Sequence, residues 1–340
     1  MIKRLLLTGI GGSIGCHTMR HILQNTDWEI VGIDSFRHKG LTDRIEVMLQ
    51  AHPEDRPRVR ILVHDISAPF SDMLVKKIGH IDYIINMGSL SDVHDSIVNP
   101  VPFIQNNVNI ALTMLEYARV SKPEVFLQIS TDEIYGPTDG KTFYKEWDPI
   151  VPSNAYSASK AAQEVIGIAY WRSYNVPLVI VNLMNNFGEM QSAAKFPAIV
   201  QKKVRSGETI TIHGSKNSVG SRHYIHSRNS ADALLFIIRD LPPPWMHEAG
   251  QADKPDRYNI EGHRQIMNTE LVEMIAGFIG KSANYVLEDG GATRPGHDHH
   301  YGLDGSKLRN LGWGPPLSLE DSLKNTVKWY EENPEWLDPH

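Results

Sequence analysis

Short runs of apolar, often β-branched residues alternate along the first half of the chain with stretches whose apolar positions recur every three or four residues. The runs predict strands at 3–8, 29–34, 58–64, 83–87, 125–130 and 178–183. The stretches with helical spacing predict helices at 15–24, 106–120 and 157–174. Strands this apolar, each followed by a helix, suit a parallel sheet covered on both faces. Six of them in this order predict an α/β fold built on a doubly wound parallel sheet.

The texture changes near residue 185. Gly and Pro become frequent, and short strands (209–213, 258–260) alternate with helices (231–239, 268–278). Residues 1–184 are thus expected to form a Rossmann domain and 185–340 mainly a smaller mixed α/β lobe over the sheet's carboxyl edge, with the chain free to cross between them. The stretch from Pro242-Pro243-Pro244 to Pro255 reads as an exposed excursion.

Composition narrows the function. The 340 residues carry a net charge of −6 and no cluster of Lys and Arg, which argues against a nucleic-acid partner. No stretch reaches the roughly 20 apolar residues of a membrane span. The charged start at Lys3-Arg4 runs straight into glycines, so it reads as a first strand rather than a leader. The single cysteine, Cys16, suits a reducing cytoplasm and reads as a buried helix residue. His297-Asp298-His299-His300 is the one dense histidine group, and no metal is expected there for want of matching ligands elsewhere.

Candidate chemistry begins at Thr8-Gly9-Ile10-Gly11-Gly12-Ser13-Ile14-Gly15, between the first strand and the first helix. Gly9, Gly12 and Gly15 permit a tight turn, and the helix start with Ser13 and Ile14 offers N–H groups to a pyrophosphate. Asp34 ends the next strand, where a carboxylate binds both adenosine ribose hydroxyls and repels a 2′-phosphate; NAD is therefore expected over NADP, although Arg37 and His38 stand nearby. Asp65 and Ile66 follow the third strand, at the adenine position. Further on, Tyr156 and Lys160 lie four apart on one helix face, where a cation lowers the pKa of a phenol and makes its phenolate an accessible base. The fifth strand runs into Ser130 and Thr131 beside them.

This combination resembles the extended short-chain dehydrogenase family. Ser130-Thr131-Asp132-Glu133-Ile134-Tyr135-Gly136 resembles the signature of its nucleotide-sugar 4,6-dehydratase branch, nearest the dTDP-glucose enzymes. Ordered matches follow at Ser91–Ser96, Pro152–Lys160, Asn185–Gly188, Arg222–Tyr224, Tyr258–Ile260 and Arg294–Asp298. The resemblance implies a cytoplasmic lyase of deoxysugar biosynthesis that oxidises carbon 4, removes water across carbons 5 and 6, and returns the hydride to carbon 6. It implies Tyr156 as acceptor of the carbon 4 hydroxyl proton, with Thr131 on the same oxygen and Lys160 on the cofactor ribose. Glu133 would be the base at carbon 5, and Asp132, held protonated, the acid at carbon 6. It places Met87 and Ser130 at the cofactor, and Asn186, Lys195, Arg222, Asn259, Arg294 and His297 at the nucleotide sugar. It also implies a homodimer through a four-helix bundle from 102–120 and 157–174, with Ile104, Val108, Ile168 and Trp171 as apolar contacts.

There are departures from the pattern. Asn86-Met87-Gly88-Ser89-Leu90 lacks the usual acidic residue at Leu90; Thr211 and His213 replace the usual Pro and Tyr beside the base; His223 replaces an Asp. They leave the base and sugar open. An epimerase or a UDP-glucuronate decarboxylase of the same family, and a silent NAD-binding scaffold, remain as alternatives.

Overall fold

The computed structural model describes residues 2–38, 40–215, 218–247, 253–288 and 300–338. Seven parallel strands form the central sheet: β1 (Arg4–Thr8), β2 (Glu29–Asp34), β3 (Val59–Val63), β4 (Tyr83–Asn86), β5 (Val125–Thr131), β6 (Leu178–Leu183) and β7 (Asp256–Ile260), in the order β7-β6-β5-β4-β1-β2-β3. The six strands read from the sequence are all present. The seventh corrects the sequence reading, which assigned 258–260 to the small lobe: β7 pairs with β6 from Asp256↔Val179 to Ile260↔Leu183.

Strand alternation explains the layers. Leu5 and Leu7 of β1 face a core shared with Ile22 and Leu23 of α1 (Ser13–Asn25), while Leu6 faces one shared with Ile110, Met114 and Trp171. The second core is closed by α2 (Pro100–Ser121) and α3 (Ala155–Tyr174), which pack against each other. The first is closed by α1 and by α4 (Ser227–Arg239), a helix from the second half of the chain. A separate core holds Phe187, Val200, Ile212, Tyr224, Leu271 and Leu323.

The excursion after residue 242 is tied down at its start. Trp171 Nε1 donates to the Trp245 carbonyl at 2.7 Å, and Trp245 N donates to Asp256 at 3.0 Å. Trp171 is fully buried, so it packs inside this chain and is not available to a helix bundle between subunits. Cys16 is also fully buried, and burial pushes its thiol up to about 12. Among the described residues no helix is long and apolar enough to cross a membrane.

Candidate active site

The glycine turn is built by sterics. Gly9 has φ +69°, and a Cβ on Gly15 would lie 2.1 Å from the Gly9 carbonyl oxygen, so α1 can follow β1 this closely only with glycine at 15. No side chain caps the start of α1, and Ser13 Oγ is buried with no hydrogen-bond partner among the described residues. These free donors at a helix N-terminus fit a pyrophosphate. Asp34 is buried, accepting from Gly11 N at 3.1 Å and from Phe36 N at 3.0 Å, which fixes its carboxylate beside the turn. Arg37 is held by Asn106 Oδ1 (2.9 Å) and faces Asp65 Oδ2 (3.4 Å), while Asp65 Oδ1 accepts from Ser67 N at 3.0 Å. Ile66 is buried, within reach of Gly88, and the Met87 and Gly88 N–H groups both donate to Thr8 Oγ1 at 3.1 Å.

The reacting groups meet at the carboxyl ends of β5 and the start of α3. Strand β5 passes Ser130 and Thr131 into a single 3₁₀ turn, Asp132–Tyr135, so both carboxyls project from one tight corner. Thr131 Oγ1 accepts from Glu133 N at 3.4 Å and donates to Asp132 Oδ1 at 3.0 Å. The Tyr156 phenol lies beside Thr131, which favours its ionised form, so phenol, hydroxyl and carboxyl are neighbours. Asp132 is only 4% exposed, and its Oδ2 has no hydrogen-bond partner among the described residues.

Electrostatics couples these groups. Burial pushes the Asp132 carboxyl up to about 6; burial and then the Asp132 charge push Glu133 up to about 7. The pair therefore holds one proton between its two members near neutrality. The sequence reading put that proton on Asp132. The repulsion between them is mutual, so hydrogen bonds rather than charge choose the holder: Thr131 donates to Asp132 Oδ1 and Asn154 Nδ2 donates to Glu133 Oε2.

One expectation is revised. Lys160 is on the same helix face as Tyr156, but its ammonium donates to Gln163 Oε1 at 2.7 Å. Burial pushes Lys160 down to about 7, against the pull of Glu164. The phenol is pushed well above the ordinary tyrosine range by burial, Glu133 and Asp132, with only the Thr131 hydrogen bond opposing.

A stability consequence follows for the dyad. A carboxyl lifted from 4.5 to about 7 costs the folded state nothing below the unfolded value. Above about pH 7 it costs up to roughly 3 kcal/mol, since the folded state must then give up a proton it binds more tightly than the unfolded chain. Glu133→Gln should therefore melt several degrees above wild type at about pH 8 and level with it near pH 4. An equal difference at both pH values would contradict the shift.

The predicted substrate residues divide. Lys195 caps the helix Phe196–Ser206, lies 3.6 Å from Asp92, and its charge reaches Glu133. Arg222 is buried over the Tyr301 ring at 4.6 Å and acts on both carboxyls. Asn186 and Asn259 act as braces. Asn186 donates to the Met184 carbonyl and accepts from Ser230; the fully buried Asn259 donates to the carbonyls of Tyr144 and Asp304. Arg294 and His297, with Asp298 and His299 of the histidine group, lie outside the described residues. His223, one of the departures, is buried and pushed down to about 4, hence neutral.

Sequence reading missed a buried polar chain behind the site. Gln163 Oε1 accepts from Gln128 as well as from Lys160; Gln128 Oε1 accepts from Asn86, and Asn86 Oδ1 accepts from Thr8. It joins the catalytic helix to the glycine turn across three strands. The signal available was an amide in each of two otherwise apolar strands, Asn86 in β4 and Gln128 in β5. Glu164, one turn beyond Lys160, forms a fully buried ion pair with Arg257 of β7 and accepts from Asn182 at 2.9 Å.

A doubly wound sheet with a glycine turn at β1, and Thr, Tyr and Lys gathered over the end of β5, defines an extended short-chain dehydrogenase. More narrowly, the chain belongs to the family described as GDP-mannose 4,6 dehydratase, whose model matches residues 6–326. It is 32% identical to the low-salt glycan biosynthesis protein Agl12 of Haloferax volcanii, over 96% of this chain and 98% of that protein. It is 28% identical to the dTDP-glucose 4,6-dehydratase of Escherichia coli, over 98% and 94%. Among solved structures it is similar to DesIV, the dTDP-glucose 4,6-dehydratase of Streptomyces venezuelae crystallised with NAD. That match has a TM-score of 0.83 at 28% identity and covers 98% of this chain and all of the other.

Proposed function

We propose that the protein is an NAD-dependent nucleotide-sugar 4,6-dehydratase, acting on dTDP-glucose or a close analogue. The observation that carries this reading is the Asp132–Glu133 pair on one tight corner, with Thr131 and Tyr156 beside it. Neither transfer of a hydride nor epimerisation at carbon 4 needs two carboxyls there, whereas elimination needs an acid and a base on one substrate.

The turn from Gly9 through Gly12, Ser13, Ile14 and Gly15 would hold the NAD pyrophosphate, Asp34 the adenosine ribose, and Asp65 and Ile66 the adenine end. Met87, Ser130, Tyr156 and Lys160 would line the nicotinamide end. Bound there, NAD would supply the hydride acceptor for carbon 4 and the hydride donor for carbon 6. The side chains manage the protons. Tyr156 takes the proton of the carbon 4 hydroxyl. Glu133 removes the proton at carbon 5, Asp132 protonates the hydroxyl leaving carbon 6 as water, and Glu133 returns its proton to carbon 5. Tyr156 ends one proton richer and Asp132 one poorer, and the Thr131 hydroxyl between them supplies the path that restores both. Lys195 and Arg222 are the described cations suited to the diphosphate; Arg294 and His297 would join them.

The test is a panel of nucleotide sugars with products weighed by mass spectrometry. Loss of one water supports the dehydratase; an unchanged mass with inverted stereochemistry or loss of carbon dioxide would replace it with the epimerase or the decarboxylase. Bound NAD without turnover would leave a scaffold.

We also infer a homodimer that pairs α2 and α3 with their copies. Val101, Ile104 and Leu112 on α2 and Val165 on α3 are exposed apolar residues, and Val108 and Ile168 are half-buried beside them. Light scattering should give twice the chain mass at micromolar concentration, and Ile104→Glu with Val165→Lys should halve it; a wild-type monomer would remove the inference.

A further inference from the structure

Asn154 stands where the two halves of the proposed chemistry meet. It is the N-cap of α3, with extended backbone at φ −148° and ψ 172°. Its side-chain oxygen accepts from Ser157 N at 2.9 Å, and Ser157 Oγ accepts from Asn154 N at 3.2 Å, a reciprocal capping box. That box commits the oxygen end of the amide to the helix. The nitrogen end then points the other way and donates to Glu133 Oε2 at 3.4 Å. The amide cannot turn over without losing its cap, so the donor facing Glu133 is fixed by the same contact that starts the helix carrying Tyr156.

The dyad needs such a donor. In the proposed reaction Glu133 must be the carboxylate and Asp132 the acid. Both carboxyls are desolvated and each feels the other's charge, while Thr131 donates to Asp132, which by itself favours Asp132 in its ionised form. Among the described residues, the groups facing the pair are Arg222, which acts on both members, Lys195, which acts on Glu133, and the neutral Tyr156. Asn154 is the side-chain hydrogen bond that selects between the two carboxyls in favour of an ionised Glu133.

We propose that Asn154 is a positioning residue that drives the shared proton from Glu133 toward Asp132, so that the cap of the tyrosine-bearing helix also readies the base. This rests on the reading of Glu133 as the base at carbon 5. It gives a residue that looks like ordinary helix capping a second duty set by its other end.

The two duties separate by substitution. Asn154→Ser and Asn154→Asp keep a capping oxygen of similar quality but have no N–H to give Glu133, whereas Asn154→Ala loses both. The holoenzyme is followed with dTDP-glucose in deuterated water, measuring exchange at carbon 5, formation of reduced cofactor by absorbance, and melting temperature. Asn154→Ser should melt with wild type and form reduced cofactor at the wild-type rate. Its carbon 5 exchange should fall roughly tenfold near pH 6, the scale of one hydrogen bond to a charged group. The acid limb of dehydration should move up by about one pH unit, with the rate recovering at higher pH. Asn154→Asp should move the limb at least as far, because it sets a further carboxylate beside Glu133. A capping role alone predicts that Ser and Asp match wild type in every profile and that only Ala suffers, in stability and both half-reactions; that outcome overturns the inference. Wild type run alongside separates the failures. If it neither exchanges carbon 5 nor releases water, the dehydratase reading falls and takes this inference with it; if it does both and Asn154→Ser overlays it, this inference alone fails.

Discussion

Asp132→Asn should stop the reaction between its halves, leaving reduced cofactor and a 4-keto hexose on the enzyme. The amide keeps the shape of the carboxyl and can still accept the Thr131 hydrogen bond that Asp132 Oδ1 receives at 3.0 Å. It cannot release a proton to the hydroxyl on carbon 6. Oxidation upstream uses Tyr156 and remains possible. The expected loss in dehydration is ~10²–10⁴-fold, the usual effect of removing a positioned acid. Glu133→Gln should differ in kind: exchange of the carbon 5 hydrogen with solvent should slow, which Asp132→Asn need not cause. The pH profile of dehydration in wild type should carry two limbs, since only the singly protonated pair works. Its acid limb falls as both carboxyls fill below about 6 and its alkaline limb as both empty above about 7. Stopped-flow absorbance of the reduced cofactor, with product mass, reads both steps. A folded Asp132→Asn that dehydrates at the wild-type rate would end the dehydratase assignment and favour the epimerase.

The sheet was legible because its signal is local. Strands such as Leu5-Leu6-Leu7 and Val179–Val181 are apolar on both faces, which only a doubly covered parallel strand requires. The glycine turn and the Tyr156–Lys160 spacing were legible for the same reason. Strand β7 was read only as a short piece at 258–260 and outside the main sheet, because Asp256 and Arg257 look like solvent-facing residues; both are buried, and Arg257 tolerates it through Glu164, 93 residues away. The start of α2 was read at 106 from helical spacing and at 102 from the resemblance. Proline in a first helical turn has no N–H to waste, and α2 begins at Pro100. In the site, Thr131, Asp132, Glu133 and Tyr156 stand together where the motif spacing puts them. Spacing cannot show that Lys160 turns to Gln163.

Tyr156→Phe should abolish the reaction before any cofactor is reduced. The phenol oxygen is the one group at the Thr131 end of the chain that can take the carbon 4 proton, and phenylalanine leaves ring, packing and helix start in place. The difficulty for wild type is that burial and two carboxyls hold this phenol well above the ordinary range. The Thr131 hydroxyl offers the remedy: as Asp132 loses its proton in turnover, the chain from Tyr156 through Thr131 can pass one along to it and leave the phenolate behind. Thr131→Val should therefore cost more than a lost hydrogen bond, since it cuts that path, while Thr131→Ser should retain it. Phe at 156 should show no absorbance of reduced cofactor with any nucleotide sugar, at any pH, and a loss of at least ~10²-fold in turnover. Exchange at carbon 5 should vanish as well, because that hydrogen is acidic only after carbon 4 becomes a ketone. This order is what separates Tyr156 from Asp132, whose loss leaves the ketone formed. If folded Tyr156→Phe accumulated reduced cofactor at the wild-type rate, the proton acceptor would lie elsewhere, and the buried Asp132–Glu133 pair would be the first place to look for it.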